Sequence, residues 1–137
     1  GVLPRDLGEG SVRILQKDIQ EVQMAKAAIR AGITMLTQRM GKQISDIQKV
    51  LLAGAFGNYL DPASACRIGM FPPELLDRIQ PIGNAAGVGA CMCALNWDAY
   101  KLTSNLTAQT EFLELGGMEE FQDCFLDALE FSPDADE

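Results

Sequence analysis

Val50-Leu51-Leu52-Ala53-Gly54-Ala55-Phe56-Gly57-Asn58 is the stretch on which the fold turns. Its first four residues are an unbroken apolar run, flanked by polar Gln48-Lys49 and by Gly54. A run this short and this apolar suits a strand buried on both faces, as in a parallel sheet. Two glycines then follow the strand's carboxyl end, and in open α/β sheets ligands bind outside those ends. Glycine there removes the β-carbon, so backbone amides can approach a phosphate or a flat base closely. A Gly-x-x-Gly after a strand is also a common tight turn, and the motif alone leaves both readings open. It is not a Walker loop, because no Gly-Lys-Ser/Thr follows, and its spacing differs from Gly-x-Gly-x-x-Gly.

On the amino side, Ser11 to Gln16 alternates Val12 and Ile14 with polar neighbours and reads as a short strand. Asp18, three residues before Glu21, has the pattern of a helix start. Ile19, Val22, Lys26, Ile29, Ile33, Leu36 and Met40 then recur three and four apart, one helical face closed by Gly41. On the carboxyl side, Asp61-Pro62 pairs a capping acid with Pro at the first helical position, opening a short helix over 61–69. Phe71-Pro72-Pro73 ends it, and Pro73 opens another short helix over 74–78. Gln80 to Gly83 is extended, Asn84 starts a small-residue helix through Trp97, and a further helix covers 98–108. Phe112 to Leu115 reads as a strand and Met118 to Leu129 as a last amphipathic helix. Alternation of this kind predicts the α/β class, a largely parallel sheet with flanking helices. Residues 1–11 read as a linker to further chain upstream, 12–131 as one domain and 132–137 as an acidic tail.

Charge and cysteine usage narrow the chemistry. The net charge is −8, and residues 111–137 hold ten of the nineteen acids and no base. Phosphate-backbone binding needs a basic stripe, so nucleic acid is excluded as the expected partner. No apolar run approaches the ~20 residues of a membrane-spanning helix. The chain has no histidine, and its cysteines stand at 66, 91, 93 and 124. Two residues apart on a helix, Cys91 and Cys93 point to different faces and cannot chelate one metal. Reduced thiols in a cytoplasmic protein are the economical reading. A second glycine set, Gly83-Asn84-Ala85-Ala86-Gly87-Val88-Gly89-Ala90, gives a helix face almost without side-chain bulk. Such a face packs tightly inside the domain or against a partner lobe, and both remain open.

Gln16-Lys17-Asp18-Ile19, Ala25-Lys26-Ala27-Ala28-Ile29-Arg30-Ala31-Gly32-Ile33, Leu52 to Leu60, Ile68-Gly69, Gly83 to Gly87 and Glu114-Leu115 form an ordered set. Together they resemble the C-terminal ATPase domain of the reductive activators of corrinoid proteins. That family lies in the actin, Hsp70 and sugar-kinase (ASKHA) superfamily of ribonuclease H-like folds. The resemblance covers 12–131. It implies a parent protein with an N-terminal plant-type [2Fe–2S] domain, which uses ATP to drive Co(II) to Co(I) in a corrinoid protein. ATP or ADP, with Mg, would sit between this lobe and a missing N-terminal lobe. Gly54, Ala55, Phe56, Gly57 and Asn58 would cradle adenosine, with Ala55 where the superfamily often has a second glycine. The helix from Asn84 would be the second inter-lobe connection. The phosphate loops and acidic metal ligands are expected upstream, so this lobe alone would be inactive. The cysteines lack the plant-type cluster spacing.

Lys26 interrupts the apolar stripe, with Gln23 and Arg30 adjacent on the helix surface. Two readings stand: a lysine whose stem is buried while its head reaches water, or a member of a nucleotide rim. The resemblance implies the second, with Gln23, Lys26 and Arg30 around adenine and ribose. Rival assignments are another ASKHA member, such as a radical-enzyme activator or a small-molecule kinase, and a non-catalytic interaction domain that keeps the fold.

Overall fold

The computed structural model describes residues 13–131. The linker read over 1–11, the start of the strand read over 11–16 and the acidic tail lie outside the described residues, as do the side chains of Phe56 and Asn58. Helix α1 (Gln16–Arg39) leads through a 3-10 turn at Ile44–Asp46 to strand β1 (Val50–Ala53). Two short helices follow, α2 (Gly54–Tyr59) and α3 (Pro62–Arg67), then a 3-10 helix at Pro73–Arg78 and strand β2 (Ile79–Gly83). Helices α4 (Ala85–Leu95), α5 (Trp97–Ala108) and α6 (Glu119–Asp127) complete the order. The expected class holds: β1 and β2 pair in parallel, Val50 opposite Ile79 and Ala53 opposite Gly83, with helices against them. The register shifts between Leu52 and Ala53, just before the glycine turn.

Two expected strands do not form among the described residues. Residues 13–15 are irregular and run straight into α1. Asp18 is not the cap but the third helical residue; its carboxylate reaches back to accept from the Leu15 N–H at 2.8 Å. That bond satisfies an amide the helix itself leaves free. Phe112 to Leu115 is also irregular. Among the described residues no strand lies beside it, and an isolated extended segment has no ladder to join. Leu115 is instead placed against α1, within 3.8 Å of where a β-carbon on Gly32 would stand.

Strand β1 departs from expectation in burial rather than in position. Leu52 and Ile79 pack on a core of Ala65, Cys66, Met70 and Phe71, joined there by Ile29 and Ile33 from α1. Leu51, on the opposite face, is 56% exposed, so the strand is buried on one face only. No second helical layer covers that face among the described residues. The stripe of α1 is likewise rotated: Ala27, Ala31 and Met35 are buried, whereas Leu36 and Met40 are exposed. Alanines at successive turns let the helix approach its neighbours more closely than the larger side chains allow. The capping assignments at α3 and α4 agree with the sequence. Asp61 accepts from the Ser64 N–H at 2.8 Å, and Asn84 accepts from the Gly87 N–H at 3.0 Å. The helix read through Trp97 stops at Leu95, because Asn96 takes the Asp98 and Ala99 amides and starts α5.

Candidate functional site

Both parallel strands end on a glycine in the left-handed region: Gly54 follows β1 at φ +76° and Gly83 closes β2 at φ +63°. That region costs L-residues with a β-carbon and is free to glycine. The two strands therefore turn at the same, carboxyl end of the sheet, where ligands of α/β folds bind. A β-carbon added at Gly54 would meet nothing within 4 Å, so the turn is open to an approaching molecule. Ala55 is exposed beside it.

Gly57 has a different cause. It is buried, and a β-carbon there would stand 2.3 Å from the Leu52 carbonyl oxygen. Glycine at 57 is required by the chain's own backbone crossing under α2. In the sequence 54 and 57 form one motif, and the structure separates them into an open position and a packed one.

The trio on α1 is also divided. Lys26 is 1% exposed. Its ammonium donates to the Ala128 carbonyl at 2.7 Å and to the Glu130 carbonyl, and stands 5.0 Å from the centre of the Phe131 ring. Gln23 Nε2 donates to the Leu129 carbonyl at 3.3 Å. These acceptors are the free carbonyls just past the end of α6, the negative end of its dipole, so a cation and an amide cap it from outside. Burial, with the Arg30 charge adding to it, pushes the Lys26 ammonium below the usual lysine range. Lys26 is thus neither an exposed snorkelling side chain nor free for a ligand in this arrangement.

Arg30 is half-buried and lines an open cleft of about 670 Å³ bounded by α1, α3 and α6. Arg67 and Cys66 of α3 line it too, with Asp127 and Glu130 from the α6 side. Burial pushes the Cys66 thiol up, and its Sγ stands 3.8 Å from the Pro72 carbonyl oxygen. None of residues 54–58 lines this cleft. The structure therefore brings Lys26 and Arg30 to one place and the glycine turn to another.

Helix α4 carries the small-residue face, yet no residue of it is buried among the described residues. Among the described residues, Gly83 and Gly87 of that face are half-buried and Ala86 and Ala90 exposed. Gly87 has a local reason to be glycine: a β-carbon would stand 2.5 Å from Asn84 Nδ2 and displace the cap of its own helix. The four cysteines are all free, and among the described residues no three of His, Cys, Asp and Glu are grouped to hold a metal. The residues present do not fit an iron–sulfur cluster. No helix of the described residues is long and apolar enough to cross a membrane.

The comparisons with known proteins agree with this architecture. Over 113 residues the chain is 35% identical to the corrinoid activation enzyme RamQ of Eubacterium limosum, which covers 82% of this chain and 19% of that protein. Over 80 residues it is 34% identical to the [Co(II) methylated amine-specific corrinoid protein] reductase of Methanosarcina barkeri, covering 58% of this chain and 14% of that one. Among solved structures, a reductive activator for corrinoid,iron-sulfur protein superposes with a TM-score of 0.78 at 30% identity, over 86% of this chain and 19% of that one. The chain spans about a fifth or less of the length of these relatives. Residues 3–137 match the family described as the C-terminal domain of RACo, the ASKHA domain, and the chain belongs to that family.

Proposed function

We propose that this chain is the adenosine-binding lobe of a two-lobed, ATP-dependent reductive activator that drives Co(II) to Co(I) reduction in a corrinoid protein of the cytoplasm. The observation that carries the reading is the open, left-handed Gly54 at the carboxyl end of β1, in a chain of this family. A flat base or ribose can approach the backbone there because no side chain occupies the space. Gly54, Ala55, Phe56 and Asn58 form the cradle, and Gly57 holds its shape from beneath. Arg30 lines the cleft between α1, α3 and α6 and is not part of this cradle. Gln23 and Lys26 hold the end of α6 and take no direct part in it. ATP bound there would be hydrolysed by water to ADP and phosphate in the two-lobed parent, and its binding between the lobes would draw them together. Mg and the [2Fe–2S] cluster belong to the parts of the parent outside this chain.

Ala55→Leu in the two-lobe parent is the test. Ala55 is exposed and its φ is not positive, so the fold tolerates leucine, while the larger side chain fills the approach to the turn. Calorimetric titration should show ADP binding weakened about tenfold or more, the equivalent of roughly 1.4 kcal/mol. Binding equal to the parent's would sink the adenosine assignment. A parent that binds no adenine nucleotide would instead leave the fold as an interaction domain.

A further inference from the structure

We propose that the cleft between α1, α3 and α6 is a second ligand site, which takes a small phosphate ester through Arg30 and Arg67. The inference goes beyond the adenosine reading, since no residue of the 54–58 turn lines this cleft. Three observations carry it. The cleft encloses about 670 Å³, within the range of small-molecule sites. Its cations differ in what they are free to do: Lys26 is spent on the Ala128 and Glu130 carbonyls. The guanidinium groups of Arg30 and Arg67, on different helices, make no hydrogen bond or ion pair among the described residues. A guanidinium presents a planar fork of N–H donors suited to phosphate oxygens, and two of them lining one cleft offer such a group two cationic partners.

The far wall sets the rest of the ligand. Asp127 and Glu130 line the same cleft without pairing to either arginine, and acceptor-only carboxylates call for hydroxyl or amine donors. A bare anion would meet repulsion there, whereas a phosphorylated polyol offers charge to one wall and donors to the other. The wall itself is held in place by Lys26, so the cleft exists because α6 is capped from α1.

Inorganic pyrophosphate and glucose 6-phosphate are the probes, titrated calorimetrically into the chain and into Arg67→Gln and Asp127→Asn, each variant first checked by circular dichroism. One glucose 6-phosphate per chain is expected. Arg67→Gln should weaken it about tenfold, as loss of a charge-assisted contact implies. Asp127→Asn should erase the preference for glucose 6-phosphate over pyrophosphate. The proposal is overturned if the chain takes up neither probe, or if Arg67→Gln binds both as the parent does. Adenosine binding should be unchanged in Arg67→Gln, which separates this site from the glycine turn: losing one leaves the other standing.

Discussion

A β-carbon at Gly57 would lie 2.3 Å from a backbone oxygen, while one at Gly54 would meet open space. Gly57→Ala should therefore cost about 1–3 kcal/mol and lower the melting midpoint by roughly 5 °C or more, whether or not nucleotide is present. A variant that melts with the parent would show that the crossing under α2 relaxes freely. Lys26→Met tests the other residue whose role changed. It keeps the buried stem but leaves the Ala128 and Glu130 carbonyls without their donor, at a cost of about 1–3 kcal/mol. Hydrogen exchange should rise first at residues 126–131, because the end of α6 loses its cap. An unchanged exchange pattern would remove Lys26 from that role. The odd cation in an apolar stripe was legible in the sequence. Its partners were not, because they are main-chain carbonyls 102 and 104 residues away, and a carbonyl leaves no mark on composition or periodicity.

Several elements bounded by local chemistry were legible in the sequence, as were the paired strands β1 and β2, whereas two further segments with strand-like alternation were not strands. Asp61-Pro62, Pro72-Pro73 and Asn84 each stop or start a helix through bonds made within a few residues. The segments 13–15 and 112–115 had suitable alternation in sequence and lack a partner strand among the described residues. Periodicity states that one face is apolar; it does not supply the strand to pair with. Helix α3 offers a test of local bonding through its cap. The Ser64 hydroxyl and N–H bond the Asp61 carboxylate, and with the nearby Arg67 charge they hold its pKa below the ordinary 3.8. A carboxyl depressed on folding adds stability at pH above its unfolded value, and that contribution is lost as pH falls through the lower folded value. Melting curves below pH 4 should therefore fall more steeply for the parent than for Asp61→Asn. Asparagine still caps the helix but does not titrate. Parallel profiles would show that the carboxylate's charge adds nothing to the cap.

At the scale of the whole molecule, the α4–α5 layer is the part the chain leaves unfinished. Val88, Met92 and Leu95 of α4 are exposed, as are Leu102 and Leu106 of α5, and Trp97 and Tyr100 stack on each other at 5.1 Å in the open. Exposed apolar area of this extent marks an interaction surface. Its occupant, in the reading proposed above, is the other lobe of the same protein, of which this chain spans only a small share in its relatives. Trp97 reports on that directly. It is the one tryptophan of the chain and is 66% exposed. In the isolated chain its emission should lie at the long wavelengths of a water-bathed indole, and iodide should quench it readily. Adding the upstream lobe, by fusion or in trans, should shift the emission to shorter wavelength and protect it from iodide. The difference between parent and Trp97→Phe spectra isolates this signal from any tryptophan in the added lobe. Loss of quenching with no change in Tyr59, 90% exposed and not on this layer, would place the contact on α4 and α5. Identical spectra with and without the lobe would mean that the apolar layer faces something else, and the two-lobed arrangement would have to be abandoned.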